Sequence, residues 1–431
     1  MSTIADRLAE HRPYTRRGRV RRVVGLEVHA SGLSSHLGEL VWILGDDGRI
    51  PAEVIAVDDD DVRLMPFASP VGLGPGRDVE STGAHLRVPL GDGIVGRVLD
   101  ALGRPADGAG PIKGAVESVD VESAPVPAMA RGRISEPLQL GVRAVDTLLT
   151  CGRGQRVGIM AGSGVGKSTL LGMLARGTDA DAVVVALVGE RGREVREFLE
   201  DDLGPGGRER ATVVVATADE PPLLRLRAAL TATRIAEWHA DRGESVLLLM
   251  DSLTRFAMAQ REIGLAAGEP PTTRGYPPST FGAIARLLER AGPRERGTIT
   301  GLYTVLVEGD DLTEPITDHA RSILDGHIVL SRRLATAGHY PTIDVTQSVS
   351  RLAGKLWTPA QQQLAVHTRR LLAAVEESRD LVEIGAYVAG TNHELDEALL
   401  KRTAIDQFLR QGVHEVVPMS QSWNVLEEVL R

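Results

Sequence analysis

The chain has 431 residues, of which 42% are hydrophobic and 25% charged, and its formal net charge of −9 argues against a general nucleic-acid binder. That length exceeds what one hydrophobic core usually supports, so two or three domains are expected. The composition excludes a mainly disordered chain, the apolar runs are too short to span a bilayer, and one cysteine, Cys151, fits a reducing cytoplasm.

Residues 1–20 are predicted to form a basic N-terminal arm. Seven arginines lie between Arg7 and Arg22, and Ile4 and Leu8 can add a short apolar stripe. Such a segment suits docking onto a partner helix or an acidic membrane surface, and a solvated chain terminus is the alternative.

Residues 21–90 are predicted to form a small β-barrel, because short β-type runs alternate with turns rich in glycine and aspartate. These runs occupy residues 19–26, 40–44, 53–57 and 62–65. The four aspartates at 58–61 are interpreted as a solvated turn rather than a metal site. Five prolines within residues 104–137 then indicate a connection between domains rather than a core.

Residues 161–169 read Ala-Gly-Ser-Gly-Val-Gly-Lys-Ser-Thr and follow an apolar run, 156–160, that predicts a buried strand. A loop of this kind binds phosphate, because its glycines let backbone N–H groups converge and the positive end of the next helix faces the anion. Lys167 can reach the terminal phosphates, and Ser168 can offer its hydroxyl to Mg²⁺. The residues predicted to hold the nucleotide here are Gly162, Ser163, Gly164, Val165, Gly166, Lys167, Ser168 and Thr169.

Residues 91–350 alternate apolar strands with helical patterns, which is typical of a parallel α/β sheet buried on both faces. The predicted strands are 157–160, 182–188, 213–216, 246–250 and 301–307. After Arg351 no strand pattern recurs, and apolar residues at helical spacing predict a helical C-terminal domain over residues 351–431.

Two of the predicted strands end in carboxylates. Asp251 follows the run 246–250 and can hold Mg²⁺ directly or through water, with a helix cap as the alternative for such an aspartate. Glu190 follows the run 182–188, and a carboxylate beside the phosphate loop can orient and deprotonate a water that attacks the γ-phosphate. A capping role or an ion pair with Arg193 is the alternative for Glu190.

Several longer blocks extend the phosphate loop into a specific resemblance. They are Val-Gly-Glu-Arg-Gly-Arg-Glu-Val-Arg-Glu-Phe from residue 188, Met-Asp-Ser-Leu-Thr-Arg-Phe-Ala-Met-Ala-Gln-Arg-Glu-Ile-Gly from residue 250, and the blocks 268–279, 303–311 and 323–334. From about residue 20 to the C-terminus the chain resembles the export ATPases of flagella and type III secretion systems, which are similar to the catalytic subunits of the rotary ATP synthase. The resemblance implies an α/β fold class: a RecA-like P-loop NTPase core with an N-terminal small β-barrel and a C-terminal helical domain.

The resemblance also implies roles for individual residues, with ATP and Mg²⁺ as the bound species. Glu190 corresponds to the residue that activates water, and Arg191 and Arg255 are expected near the phosphates. Tyr340 corresponds to the tyrosine that stacks on adenine, and Arg351 to the arginine finger that enters the neighbouring subunit's site. Without the resemblance, Tyr340 would be interpreted as a core residue and Arg351 as a surface residue.

Because the finger comes from the next protomer, the resemblance implies a head-to-tail homo-hexamer. It further implies a stator-like negative regulator at the N-terminal arm, export gate proteins in the membrane, and export substrates and chaperones at the C-terminal domain, with no nucleic acid. The expected location is the cytoplasm, peripheral at the inner face of the cell membrane. There, ATP hydrolysis is expected to energise flagellar export by releasing or unfolding substrates at the export gate.

Flagellar export is favoured over an injectisome by Leu73-Gly74-Pro75-Gly76 and by residues 405–411. An RNA-dependent hexameric helicase would share the core, but it should carry RNA-stacking aromatic residues, and residues 18–90 contain only Trp42 and Phe67. A ring subunit that binds nucleotide without hydrolysing it is a further alternative, against which Glu190 argues.

Overall fold

The computed structural model describes residues 16–46, 48–58, 61–307, 311 and 313–431. Six antiparallel strands close a barrel in the order β1-β2-β5-β4-β3-β6, which confirms the predicted N-terminal barrel. They are β1 (Arg17–Val24), β2 (Glu27–Ser31), β3 (Leu40–Gly45), β4 (Gly48–Val57), β5 (Asp61–Pro66) and β6 (Asp78–Ser81). Alternate side chains such as Val28, Val41 and Leu64 fill the barrel interior.

β1 begins within the residues predicted as a basic arm. Its arginines form ion pairs along the outer surface of the barrel: Arg17–Glu80 at 2.6 Å, Arg19–Asp78 at 3.4 Å and Arg21–Asp61 at 3.2 Å. Residues 1–15 of the predicted arm lie outside the described residues, as do Asp59 and Asp60 of the aspartate turn.

The proline-rich connection contains more structure than its sequence indicates. β7 (Arg87–Leu90) and β9 (Glu117–Asp120) pair as a two-stranded antiparallel sheet, and β8 (Val98–Asp100) joins the edge of the central sheet. Val121, which follows β9 directly, is fully buried. The prediction that this segment contributes no core is therefore wrong, because β9 is paired with β7 and its neighbour packs against the ATPase domain.

The central sheet has the strand order β17-β16-β10-β15-β13-β11-β12-β8, with β14 paired to β15. Its strands are β10 (Arg156–Ala161), β11 (Ala182–Glu190), β12 (Ala211–Thr217), β13 (Ser245–Asp251), β14 (Gly292–Pro293), β15 (Thr298–Leu306), β16 (Gly326–Leu330) and β17 (Ile343–Ser350). All five predicted strands are present. The sheet is parallel except for β14 and for the edge strand β17, and neither β16 nor β17 was predicted.

Helices cover both faces of this sheet. Val184 and Val188 of β11 enter one core cluster, and Val183, Val185 and Leu187 enter the other. A strand that is buried on both sides must be apolar throughout, which explains the unbroken hydrophobic run in its sequence.

The helices before Arg351 surround the sheet and include one π-helical turn, Phe198–Asp202. They are α1 (Arg143–Leu148), α2 (Lys167–Gly177), α3 (Gly192–Glu197), α4 (Gly204–Arg210), α5 (Pro222–Asp241), α6 (Leu253–Ala266), α7 (Pro278–Glu289), α8 (Pro315–Ile323) and α9 (Arg332–Thr336). Short 3₁₀ turns occur at Asp92–Ile94, Ala128–Ala130 and Thr273–Gly275.

Every regular element that the structure describes after Arg351 is a helix, as predicted. The helices are α10 (Ala353–Leu356), α11 (Pro359–Glu377), α12 (Arg379–Glu383), α13 (His393–Leu409) and α14 (Met419–Leu430). α11 begins with a capping box in which the side chains of Thr358 and Gln361 bond to each other's backbone N–H groups. Within the described residues, none of the helices combines the length and apolar character needed to cross a bilayer.

Candidate active site

The phosphate loop connects β10 to α2 at the carboxyl edge of the central sheet. Gly164 and Gly166 have φ values of +75° and +89°, a left-handed conformation that favours glycine. Val165 between them is buried, and its carbonyl oxygen accepts a 2.6 Å hydrogen bond from the Thr342 hydroxyl. Ser163 and Gly164 are exposed at the tip of the loop. The loop is therefore anchored at Val165 while its tip stays open to a ligand at the positive end of α2.

Gly162, Ser168 and Thr169 flank the anchored part of the loop. Gly162 is buried directly after β10, whereas Ser168 and Thr169 are half-buried in the first turn of α2. Thr169 is hydrogen-bonded to Asp202. Ser168 thus has its hydroxyl at the helix end that faces the loop.

Lys167 forms ion pairs with both of the predicted site carboxylates, Asp251 and Glu190. Its Nζ lies 2.6 Å from Asp251 Oδ1 and 3.2 Å from Glu190 Oε1, and all three side chains are at most 13% exposed. Burial alone would lower the pKa of Lys167, but the charges of Asp251 and Glu190 raise it above its ordinary value. Since β10, β13 and β11 are parallel, their carboxyl ends meet at one edge and bring together residues that are up to 84 positions apart.

Glu190 lies at the end of β11 with an unusual proton affinity. Burial and the negative charge of Asp251 raise the pKa of Glu190 to about 7, against the opposing charge of Lys167. A hydrogen bond between Glu190 and Glu194 contributes to this effect and lowers the pKa of Glu194. The alternative ion pair of Glu190 with Arg193 is absent, because Arg193 contacts Glu197 at 2.7 Å. A carboxyl that titrates near neutrality is suited to accept a proton from water.

Asp251 is buried at the end of β13. The cap of α6 is provided by Ser252, whose hydroxyl accepts from Arg255 N–H at 3.3 Å, so the alternative role of Asp251 as the cap is wrong. Carboxylate and hydroxyl oxygens are ligands that Mg²⁺ prefers, and Asp251 with Ser168 offers such a pair. Among the described residues there is no group of three or more His, Cys, Asp or Glu side chains that could hold a metal. Asp251 and Ser168 therefore fit a cation that also takes ligands from nucleotide phosphates.

The two expected phosphate-binding arginines differ in orientation. Arg255 packs on Gly189, where an added Cβ would lie 2.9 Å from the Cβ of Arg255. The buried Nε of Arg255 has no hydrogen-bond partner in the described part of the chain, which leaves it available to an anion. Arg191 is instead 79% exposed and pairs with Glu194 at 3.1 Å, so its guanidinium does not point into the cluster.

Tyr340 lies beside the phosphate loop rather than in the core. Its side chain is 47% exposed, and a Cβ built on Gly166 would lie 3.7 Å from the ring. Thr342, two residues later, bonds to Val165 and so fixes this segment against the loop. The exposed ring is placed where it can stack on the base of a nucleotide whose phosphates occupy the loop.

Arg351 lies away from its own chain's phosphate loop. Ser350 at the end of β17 pairs with Gly326 at the start of β16, and Arg351 N–H donates to the carbonyl of Asp325. Asp325 also contacts Arg156, at the amino end of β10. The loop leaves the opposite end of β10, five residues or roughly 16 Å along the strand at about 3.3 Å per residue. The exposed Arg351 side chain therefore lies at the amino ends of the parallel strands, opposite the end from which the phosphate loop leaves.

Three contacts of this site were not predicted: those of Thr304, Thr342 and Glu194. Thr304 donates a 2.7 Å hydrogen bond to Asp251 Oδ1 from within the apolar strand β15. The sequence does not single out Thr304, because the same strand also contains Thr298 and Thr300. Thr342 and Glu194 sit in polar segments where nothing distinguishes them from their neighbours.

Comparison with known proteins supports the same interpretation. Residues 141–350 match the ATP synthase alpha/beta family, nucleotide-binding domain, and residues 357–428 match the T3SS EscN ATPase C-terminal domain. The chain is 51% identical over 412 residues to the Flagellum-specific ATP synthase of Bacillus subtilis, covering 95% of this chain and 94% of that protein. It is 48% identical over 408 residues to the SPI-2 type 3 secretion system ATPase of Salmonella typhimurium, covering 94% and 92%.

Solved structures agree with these matches. The assembled ATPase EscN of the enteropathogenic E. coli type III secretion system has a TM-score of 0.91 and 42% identity, covering 96% of this chain and 100% of EscN. EscN in complex with its central stalk EscO has a TM-score of 0.89. Fold and site thus define a nucleotide-binding ATPase. The chain belongs to the flagellum-specific and type III secretion ATPases of the ATP synthase alpha/beta family, as the sequence motifs predict.

Proposed function

We propose that this chain hydrolyses Mg-ATP in order to energise flagellar protein export, releasing or unfolding export substrates at the membrane export gate. The observation that carries the proposal is the meeting of Lys167, Asp251 and Glu190 beside the phosphate loop, with N–O distances of 2.6 and 3.2 Å. Phosphoryl transfer requires a phosphate-binding cation, a metal-binding acid and a group that orients water, and these three residues supply one each.

In the nucleotide-bound site, Lys167 exchanges its two carboxylate partners for the terminal phosphates. Ser168 and Asp251 would hold Mg²⁺, which would neutralise charge on the phosphates. Glu190 accepts the proton of the attacking water, and the free Nε of Arg255 donates to a phosphate oxygen. Arg191 joins the phosphates by leaving Glu194, and an exposed ion pair of this kind is easily exchanged.

Arg351 completes the site of the neighbouring subunit. Arg351 lies at the amino ends of the parallel strands, whereas its own phosphate loop lies at their carboxyl ends. Its guanidinium therefore acts in catalysis by entering the active site of the neighbouring subunit. Head-to-tail contacts that repeat in this way close a ring, and we propose a homo-hexamer. The relative EscN is described as assembled and as binding a central stalk, which supports the ring.

The remaining partners are assigned to the arm that precedes β1, the barrel that begins with β1 at Arg17, the ATPase domain up to residue 350 and the helical domain 351–431. The basic arm binds a stator-like negative regulator, and the helical domain receives export substrates and chaperones. The export gate holds the ring peripherally at the cytoplasmic face of the membrane. Nucleic acid is not among the proposed partners. Arg17, Arg19 and Arg21 support an acidic partner at the start of the barrel, because their side chains stay 60% to 70% exposed despite their ion pairs.

An injectisome ATPase is the second candidate function. It is favoured by the 48% identity to the SPI-2 ATPase of Salmonella typhimurium, which equals the identity to the Flagellum-specific ATP synthase of the same organism. Restored swimming after the chain is expressed in a strain that lacks its flagellar ATPase would support flagellar export. Restored effector secretion without swimming would support the injectisome.

The hydrolytic proposal is tested by ATPase assays over a range of protein concentrations with Glu190→Gln and Arg351→Ala. Specific activity of the wild type should rise with concentration as rings form, and each variant alone should be nearly inactive. Loss of an arginine finger costs ~10³ to 10⁵ in rate in related phosphate-transfer enzymes. Mixed rings should regain activity, because an Arg351→Ala subunit keeps Glu190 and can receive Arg351 from a Glu190→Gln neighbour. A mixture as inactive as its components would contradict the finger acting between subunits.

A further inference from the structure

Asp251 has a second donor that the catalytic scheme does not use. The hydroxyl of Thr304 lies 2.7 Å from Asp251 Oδ1 and 3.4 Å from the carbonyl oxygen of Met250. A hydroxyl has one proton to donate, and the shorter contact to a charged oxygen is the stronger one. Thr304 and Asp251 are both buried, so no bulk water replaces this donor.

Thr304 is positioned for this contact by the order of the strands. β15 lies between β10, which feeds the phosphate loop, and β13, which ends in Asp251. The register pairs Met250 with Tyr303, so Asp251 lies level with Thr304 on the adjacent strand. Both strands are central in the sheet, which fixes the hydroxyl with respect to the carboxylate.

Nucleotide binding affects the two hydrogen-bond donors of Asp251 differently, because it draws Lys167 away and leaves Thr304 in place. Lys167 also contacts Oδ1, at 2.6 Å, and the described hydrogen bonds to this carboxylate therefore all fall on Oδ1. When Lys167 turns to the phosphates, Thr304 is left holding Oδ1, and Oδ2 stays free to face the cation. Residues that hold a metal ligand in this way change metal affinity or activity by 10- to 100-fold when they are removed.

We propose that Thr304 is a positioning residue for Mg²⁺: its hydroxyl fixes the Asp251 carboxylate in the orientation that binds the cation after Lys167 has moved to the nucleotide. This inference rests on the proposed Mg-ATP hydrolysis at the same site. Thr304 does not contact the substrate, and its effect passes through Asp251.

The test measures binding of a fluorescent ADP analogue to the full chain while free Mg²⁺ is varied. Thr304→Val keeps the shape of the side chain and removes the hydroxyl, and it should raise the Mg²⁺ concentration for half-maximal binding by roughly 10- to 100-fold. Binding of the analogue in EDTA should stay at the wild-type level. Thr304→Ser should restore the wild-type Mg²⁺ dependence.

Thr300→Val is the matched control, because Thr300 is a buried threonine of the same strand whose hydroxyl accepts from Gly154 N–H, away from the site. It should leave the Mg²⁺ dependence unchanged. If Thr304→Val does not fold, Thr304→Ala provides the same comparison. Wild-type Mg²⁺ dependence in the hydroxyl-free variant, failure of Thr304→Ser to restore it, or an equal change in Thr300→Val would each overturn the role of Thr304. A wild type whose nucleotide binding does not depend on Mg²⁺ would also overturn it, whereas failure of the proposed function would show separately as a wild type that does not hydrolyse ATP.

Discussion

The raised pKa of Glu190 predicts that Glu190→Gln stabilises the nucleotide-free chain above neutral pH. Burial and Asp251 move the pKa of Glu190 from 4.5 to about 7. Because the folded-state pKa is raised, the stability that the Glu190 proton contributes is complete below about pH 4.5 and is lost as the pH rises through about 7. A difference of this size corresponds to roughly 3 kcal/mol at pH 8. Glutamine resembles the protonated carboxyl and cannot lose a proton, so the variant should avoid this loss.

The assay is chemical denaturation of wild type and Glu190→Gln at pH 5 and pH 8, in EDTA and without nucleotide. The variant should exceed the wild type by up to about 3 kcal/mol at pH 8, and the two should differ much less at pH 5. Glu197→Gln is the control, because Glu197 is exposed on the next helix, where it pairs with Arg193. Equal stability of Glu190→Gln and wild type at pH 8 would refute the proposed balance of charges around Lys167.

The same proton must leave before Glu190 can act as a base, so kcat/KM for ATP should rise with pH through about 7.

Two further pairs of variants test contacts outside this cluster. Arg227→Ala should destabilise the chain by about 3–5 kcal/mol in denaturation experiments, because the buried Glu53 of the barrel loses its bidentate partner. Arg193→Ala, which breaks only the exposed pair with Glu197, should change the denaturation midpoint little, and an equal loss in both variants would contradict the reasoning. Tyr340→Ala should weaken ATP binding about tenfold or more, as base stacking contributes about 1–3 kcal/mol, whereas Tyr340→Phe should bind normally in the same titration. Equal weakening by both substitutions would exclude stacking.

The local elements of the site could be predicted from the residues within each segment. Continuous apolar runs such as 182–188 and 246–250 are too short for a typical buried helix and favour strands that are covered on both faces, so the strands and the fold class could be predicted. The glycines around Val165 specify a backbone conformation that few other residues adopt, and with the Lys-Ser-Thr that follows they make the phosphate loop recognisable from the local sequence. The longer blocks around Glu190 and Asp251 indicated the family.

Strand β17 shows where local pattern fails. Its sequence, Ile-Asp-Val-Thr-Gln-Ser-Val-Ser, mixes apolar and polar residues because the strand lies at the edge of the sheet and is only partly covered. The position of Arg351 at the amino ends of the strands could therefore not be predicted from the sequence.

Which of these residues contact one another depends on the packing of the whole domain. Lys167, Glu190 and Asp251 come together because β10, β13 and β11 are parallel members of one sheet, and the strand order is a property of the whole domain. The contact of Thr304 with Asp251 joins residues that are 53 positions apart. The burial of a side chain can be predicted from the hydrophobic pattern of its neighbours in sequence. Its contacts across a sheet depend on how segments that are distant in the chain pack together.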